Sequence, residues 1–248
     1  MKTIAKGAGI LAALSLGLCI TSCKKSEVTE ISPKFNANDS ISTKVKTDNT
    51  EHANVQFINA SFGSGPVSLY INGNKNGKGQ TGYGKVSGYW PETPSFYRIP
   101  VVIKSSSGDT LQNMSSGFYV NHYYSVFLAG QKANNNLRTF VFDDNLPTSA
   151  PQPGNVRIRF INVAQSSPLV DLVINNHAVI TRQGFTGHTN YIEIPAGTAN
   201  IKINVWGTTT TVAALDATKL EDGKTYTVYA KEDMKENKVV IVGDMFEM

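Results

Sequence analysis

The residue types that most often carry chemistry are thinly spread along this chain. No histidine lies in a metal-ligand spacing such as His-Glu-x-x-His, and the four are His52, His122, His177 and His188. The chain also lacks the Gly-x-Ser-x-Gly elbow that presents a nucleophilic serine in many hydrolases. The sequence therefore predicts no catalytic residues, no metal site and no cofactor.

One acidic run could bind a cation. Asp143-Asp144-Asn145 offers side-chain oxygens of the kind that calcium prefers. The run follows a predicted strand, and adjacent acids at a strand end are more often a solvated turn. We therefore expect a turn there, with a calcium site as the alternative.

A single cysteine has a clear chemical assignment. The sequence Leu18-Cys19-Ile20-Thr21-Ser22-Cys23 closes a leader with a positive start and a short apolar core, which is typical of an export signal. This end resembles the bacterial lipoprotein signal, which implies that residues 1–22 are removed and that Cys23 carries lipid. Several acyl chains hold a soluble domain on a membrane without a spanning helix. The alternative is a secreted protein with a coincidental cysteine.

The residues after Cys23 bear on location. Lys24-Lys25 stands where many inner-membrane lipoproteins have aspartate, and Cys-Lys-Lys is similar to lipoproteins of the Bacteroidetes. We therefore expect an outer-membrane anchor in the cell envelope, with the periplasmic and surface-exposed sides both open. Residues 23–53 show neither strand nor helix periodicity and are predicted to form a flexible tether, spanning roughly 30 Å. Cys19 leaves with the leader, so the mature chain has no disulfide.

The part of the chain that follows the tether contains a repeated unit. Phe57-Ile58-Asn59 is followed by Val67–Asn72, and Phe160-Ile161-Asn162 is followed at the same spacing by Val170–Asn175. A fixed-period return indicates one structural unit used twice.

Alternating apolar and polar residues between turn signals predict about seven short strands in each unit. The fold class is therefore all-β, with two tandem antiparallel β-sandwiches of immunoglobulin-like type. The first covers residues 54–146 and the second residues 155–248. The proline-rich stretch 147–154 is predicted to be a short, stiff linker.

Four segments of the second unit resemble a bacterial family called domain of unknown function 4397. They are Arg159–Asn162, Pro168–Asn175, Ile194–Gly197 and Gly223–Val228. The first unit keeps Phe-Ile-Asn and Leu-Tyr-Ile-Asn-Gly but lacks the Pro-Ala-Gly turn, so it is a divergent copy. The resemblance implies a β-rich, extracytoplasmic protein and transfers no catalytic residues.

The first unit has a candidate ligand site that the second lacks. Residues 73–84 hold five glycines, form a predicted long mobile loop and lead into Tyr83, Tyr89 and Trp90. Long loops are often functional, and these side chains present rigid apolar faces with a polar handle. We predict that they bind a ligand; the alternative is that Trp90 caps the sandwich core.

Charge narrows the choice of partner. Removing Lys2 and Lys6 with the leader reduces the formal net charge from +4 by 2 to +2. Nucleic-acid binding needs a clustered basic face, and the pair Arg157 and Arg159 is predicted to lie on the solvent face of a strand. The sequence favours a non-enzymatic binding or scaffold lipoprotein, with a glycan or an envelope protein as partner and no nucleic acid. The alternative is a hydrolase with a site at the interdomain cleft.

Overall fold

The computed structural model describes residues 51–144, 146–235 and 238–248. The predicted signal peptide, Cys23 and nearly all of the predicted tether lie outside the described residues. No helix in the described part of the chain is long and apolar enough to cross a membrane.

The described chain is built from two consecutive sets of eight strands. The first set is β1 (Ala53–Phe62), β2 (Val67–Ile71), β3 (Asn74–Lys75), β4 (Trp90–Glu92), β5 (Ser95–Ser105), β6 (Thr110–Phe118), β7 (Tyr123–Gln131) and β8 (Arg138–Asp143). The second set is β9 (Asn155–Asn162), β10 (Val170–Ile174), β11 (His177–Gln183), β12 (Ile192–Pro195), β13 (Gly197–Val205), β14 (Thr211–Leu220), β15 (Thr225–Lys235) and β16 (Lys238–Glu247).

Both sets follow the same topology. The first forms the sheets β4-β1-β7-β8 and β3-β2-β5-β6, and the second forms β12-β9-β15-β16 and β11-β10-β13-β14. The predicted pair of immunoglobulin-like β-sandwiches is confirmed. Each sandwich also contains one parallel pair, β1 with β7 and β9 with β15, which strand periodicity alone cannot reveal.

The repeated Phe-Ile-Asn motif has three separate structural roles. Phe57 and Phe160 are buried in the core of their own sandwich. Ile58 and Ile161 point to the opposite face of the strand, as period-two alternation requires, and pack together in a third apolar cluster.

The asparagine of the motif fixes the loop that follows its strand. The Asn59 amide donates to the backbone oxygens of Gly65 (3.1 Å) and Thr81 (3.0 Å), and its Oδ1 accepts from Ser61 N (3.1 Å). Asn162 Oδ1 accepts from Ala164 N at the same distance. Both asparagines are fully buried, so these bonds satisfy groups that would otherwise be costly to bury.

The two sandwiches pack against each other in a stack of four sheets. The third cluster joins β1, β7 and β8 of the first sandwich to β9, β15 and β16 of the second. Its fully enclosed members include Phe127 and Tyr229, whose ring centroids lie 5.5 Å apart. The predicted linker, residues 147–154, contains no strand, and the Arg157 guanidinium donates to the backbone oxygens of Ser149 and Ala150.

This packing corrects the prediction that Arg159 lies on a solvent face. Its side chain is buried and pairs with Asp144 of the first sandwich, with Nη2 to Oδ1 at 2.5 Å. Alternation correctly places Arg159 on the face opposite Phe160. The face is nevertheless buried, because the neighbouring sandwich covers it.

Candidate functional site

The glycine-rich segment between β3 and β4 forms one wall of a cleft at the edge of the first sandwich. Thr81 exchanges two backbone hydrogen bonds with Val67, at 2.7 and 3.1 Å. Ser87 N donates to Phe57 O at 2.9 Å, and Asn59 N donates to Lys85 O at 3.1 Å. The segment predicted to be a mobile loop is therefore attached to both β1 and β2 at several points.

The cleft has a volume of about 260 Å³. It is lined by Phe57, Leu69, Asn76, Gly77, Lys78, Gly79, Gln80, Thr81, Gly82, Lys85, Val86, Ser87 and Trp90. This volume lies just below the usual range for small-molecule pockets, so the cleft suits a short part of a ligand chain.

Trp90 supplies the large aromatic surface of the cleft. It opens β4 opposite Val55, its indole nitrogen donates to Ser87 O at 3.3 Å, and its side chain is half-buried. Gly77 has φ +76°, and a Cβ there would lie 3.0 Å from the indole nitrogen, so glycine is needed for this close approach. Trp90 is not a member of any of the three described apolar clusters.

Asn76 places an unused hydrogen-bond acceptor in the cleft wall. Its side chain is only 4% exposed, and its Nδ2 donates to Glu92 Oε1 at 2.6 Å. Its Oδ1 has no partner among the described residues. A buried amide oxygen without a partner is costly, so a ligand donor that reaches it gains more than a donor at an exposed site.

Charged groups around the cleft are arranged asymmetrically. Lys78 Nζ lies 5.7 Å from the centre of the Trp90 ring, which places a cation over the aromatic face. Burial raises the pKa of the Glu92 carboxyl, and the hydrogen bond from Asn76 opposes that shift. Glu92 is not among the lining residues, which present ammonium, amide, hydroxyl and aromatic groups.

The structure does not gather the three predicted ligand-binding residues into one opening. Trp90 lines the cleft, whereas Tyr83 faces the second sandwich. The Tyr83 hydroxyl donates to Glu232 O at 2.7 Å, and Lys231 Nζ lies 4.8 Å from the ring centre. Burial raises the Tyr83 pKa above its usual range, and the nearby carboxylates add to the shift.

Tyr89 belongs to the buried polar network between the sandwiches. Its hydroxyl donates to Asp144 Oδ2 at 2.6 Å and accepts from Gln56 Nε2 at 3.0 Å. Burial and the neighbouring Asp144 carboxylate raise its pKa well above the usual value. Only Trp90 of the predicted trio therefore contacts the cleft, and its role in binding stays a prediction.

The second sandwich has no counterpart of the aromatic wall. Trp90 pairs with Val55, and the matching partners in the second repeat are Ile192 and Ile158. Ile192 packs at the edge of its own core. The cleft is thus an addition to the common fold, as the sequence comparison of the two units indicates.

Sequence reasoning missed the contribution of Asn76. Asparagines are frequent in the loops of this chain, and nothing in the local pattern distinguishes Asn76 from Asn72 or Asn74. The available signal is its position three residues after the Asn72-Gly73 turn, which brings the chain back toward Leu69 O, to which Asn76 N donates at 2.9 Å. Only the fold shows that this return buries the amide.

The acidic run after β8 is divided between solvent and interior. Asp143 is exposed and pairs with His122 at 2.7 Å, whereas Asp144 is 1% exposed and pairs with Arg159. The expected solvated turn is therefore wrong for Asp144, because the second sandwich covers this strand end. No group of three or more metal-ligating side chains occurs in residues 51–144, 146–235 and 238–248.

Comparisons with solved structures found distant likenesses, of which three follow. One is a structure titled for α-glucan recognition by family 41 carbohydrate-binding modules from streptococcal virulence factors. It has 11% sequence identity and a TM-score of 0.24, and the match covers 76% of this chain and 96% of that one. Another is the multi-modular glycogen-degrading pneumococcal virulence factor SpuA, at 11% identity and 0.22, covering 76% and 23%. A third is the Bacillus anthracis TIE protein, at 8% and 0.22, covering 79% and 44%.

A comparison with curated protein sequences found no match. The sequence profile of one family does match, over residues 53–173 and again over 163–245. The first match covers the first sandwich and extends into β10, the second covers most of the second sandwich, and together they span well over half of the chain. The chain therefore belongs to the family described as Domain of unknown function (DUF4397), of which it carries two tandem copies.

Proposed function

We propose that this protein is a lipid-anchored envelope module that binds a polysaccharide in the Trp90 cleft without cleaving it. The observation that carries the proposal is a half-buried indole ring that lines one cleft together with Asn76, whose side-chain oxygen is buried and unpartnered. A sugar ring offers both complements, since its C–H face stacks on an aromatic ring and its hydroxyls donate hydrogen bonds.

The energetic logic favours a hydroxyl-rich ligand. Asn76 Oδ1 is buried in the protein alone, and a sugar hydroxyl that reaches it would satisfy a group that is otherwise unpaired. Lys78 and Gln80 stand at the cleft margin and can hold further hydroxyls. Stacking on Trp90 supplies apolar area with little loss of side-chain freedom, because the ring is already held by Gly77 and Ser87.

Binding without cleavage agrees with the chemistry of the lining. Glycoside hydrolysis uses two carboxyl groups that flank the scissile bond. The described lining residues supply aromatic, amide, hydroxyl and ammonium groups, which hold a sugar but do not form that pair.

The described contacts do not support the alternative function, a hydrolase with its site at the boundary between the sandwiches. Acids do lie at that boundary, but they hold structural partners. Asp144 pairs with Arg159, and Asp244 pairs with Lys231 at 3.0 Å. Glu232 Oε1 accepts from the Ser166 hydroxyl at 2.6 Å. Phe127 and Tyr229 contact each other at the same boundary, with ring centroids 5.5 Å apart.

Replacing Trp90 with alanine tests the binding proposal. We expect retention on the cognate polysaccharide to fall at least about tenfold, equivalent to about 1.4 kcal/mol. We expect the free energy of unfolding to change by only about 1 kcal/mol, because Trp90 is half-buried and lies outside the apolar clusters. Affinity electrophoresis through gels with α-glucan, β-glucan, mannan or chitin measures the first quantity, and urea unfolding measures the second.

The matched control is Ile192→Ala, at the equivalent strand position of the second sandwich. It should lower stability without changing retention. A loss of about 3–5 kcal/mol for Trp90→Ala, with retention unchanged, would return Trp90 to a capping role and reject the cleft as a glycan site.

The anchor is a second part of the proposal and is tested independently. Cys23→Ser should move the protein from the membrane fraction to the soluble fraction, because a serine hydroxyl cannot receive the thioether-linked lipid. Metabolic labelling with a fatty-acid analogue should mark the native chain only. Equal labelling of both chains would show that Cys23 is not the lipid site.

A further inference from the structure

The start of β5 carries an outward bulge that the cleft does not use. Ser95 pairs with Phe118 and Ile99 pairs with Ser116, so four steps along β5 face only two along β6. Phe96, Tyr97 and Arg98 together face the single residue Gly117, and the two surplus residues bend β5 out of the regular sheet.

The bulge is held in place by specific contacts. Ser95 Oγ donates to Tyr97 O at 3.0 Å, and the Arg98 guanidinium donates to Ser115 O at 2.7 Å. A Cβ at Gly117 would lie 3.3 Å from Ser95 O, so glycine lets the bulge fold over β6. These contacts hold the projecting residues against the sheet.

The bulge presents aromatic side chains to solvent. Phe96 is 75% exposed and Tyr97 is 84% exposed, and both values are high for large apolar side chains. Tyr119, 45% exposed, lies beside them, with its ring centroid 5.6 Å from that of Phe96. We call Phe96, Tyr97 and Tyr119 the aromatic wedge.

The wedge lies where the chain enters the first sandwich. Asn121 N donates to His52 O at 2.8 Å, and Asn54 N donates to His122 O at the same distance. The turn after Tyr119 is therefore joined to the residues that precede β1. Cys23 lies 53 − 23 = 30 residues before Ala53, so the wedge occupies the end of the sandwich that the chain connects to the anchor.

We infer that the aromatic wedge docks the first sandwich onto the lipid surface in which Cys23 is anchored. The inference rests on the proposed anchor, which brings this end of the molecule to a bilayer. Aromatic rings favour the interfacial layer of a membrane, where an apolar body and a polar edge are both solvated. Docking would fix which side of the sandwich faces solvent.

The shape and chemistry of the wedge favour a bilayer over a sugar. The rings of the wedge stand on a bulged strand with high exposure, whereas small-molecule sites are concave and supply placed hydrogen bonds. Phe96 has no polar atom in its side chain, so it gains nothing from hydroxyls and gains fully from transfer into lipid. Arg98 next to it provides a cation at the level of lipid phosphates.

The test uses the full mature chain carrying Cys23→Ser, so that no acyl chain contributes to binding. Co-sedimentation with vesicles of phosphatidylethanolamine and phosphatidylglycerol should detect the chain with native aromatics. Adding Phe96→Ser and Tyr97→Ser should lower the partition coefficient at least about tenfold. The difference should persist at high salt, because apolar insertion is not screened.

The control pair is Leu169→Ser with Trp206→Ser, two exposed apolar residues of the second sandwich, and it should leave partition unchanged. Equal losses for the two pairs, or no binding by the native aromatics, would overturn the inference. The inference would also be overturned if the wedge residues were needed for retention of the protein on an insoluble polysaccharide and not on vesicles. Trp90→Ala should leave vesicle binding intact, and lipid labelling of Cys23 is measured in a separate experiment. A wrong inference about the wedge can therefore be distinguished from a wrong proposal about the cleft or the anchor.

Discussion

Asp144→Ala is expected to destabilise the whole described fold by about 3–5 kcal/mol, because it leaves the Arg159 guanidinium buried without its carboxylate. The Arg159 and Asp144 side chains are 3% and 0% exposed, and they join at 2.5 Å. Burial alone would lower the Arg159 pKa, but Asp144 and the neighbouring tyrosines outweigh it and raise that pKa. Arg159 also donates to Thr227 Oγ1 at 2.8 Å, so the charge is held at several points.

A double replacement separates the contribution of the Asp144–Arg159 ion pair to stability from that of the residues around it. Asp144→Leu with Arg159→Met removes both charges and should recover much of the loss, since apolar residues of similar volume often replace a buried pair without penalty. Urea unfolding of Asp144→Leu, Arg159→Met and the double variant gives the coupling energy. Glu221→Ala provides the exposed comparison, because Lys219 and Glu221 are largely solvated and their pair should contribute little. A small loss for Asp144→Ala would show that water reaches the guanidinium in solution.

The repeat and the core positions could be predicted because they depend on local alternation. Phe57 and Phe160 occupy the predicted inward positions, and their neighbours Ile58 and Ile161 take the opposite face. A period of two fixes which residues share a face. It does not reveal whether the outer face meets water or another domain, and the misassignment of Arg159 follows from that gap.

The candidate site was likewise only partly predictable from the sequence. Trp90 is conspicuous in sequence because it is a large aromatic residue that follows a long glycine-rich segment. Asn76 is not, because its significance depends on burial and on an oxygen left unpaired after folding. Tyr83 and Tyr89 resemble Trp90 in sequence, yet contacts with Glu232 and Asp144 direct them to the other side of the segment. Those partners are distant in the chain, so local pattern could not identify them.

Cutting the chain within residues 147–150 should leave the two sandwiches associated as one particle. The cut falls in an exposed part of the predicted linker. The halves share an apolar cluster that includes Ile58, Phe127, Ile161 and Tyr229, together with the Arg159 ion pair. Mild subtilisin digestion should therefore give two fragments of about 10 kDa in a denaturing gel. Gel filtration should give a single peak near the mass of the uncut core.

Phe127→Ala should separate those fragments. The Phe127 ring is fully buried and contacts Phe142 and Tyr229 at centroid distances of 5.7 and 5.5 Å. Removing it should cost about 3–5 kcal/mol, which weakens association of the cut halves by about 10²- to 10⁴-fold. The control is Val126→Ala on the same strand, because Val126 points into the core of the first sandwich instead. That variant should lower the stability of the first sandwich and leave the cut halves together, since the shared cluster keeps all its members. If the Phe127→Ala halves co-elute as tightly as the native ones, the ion pair and not the apolar cluster holds the sandwiches together.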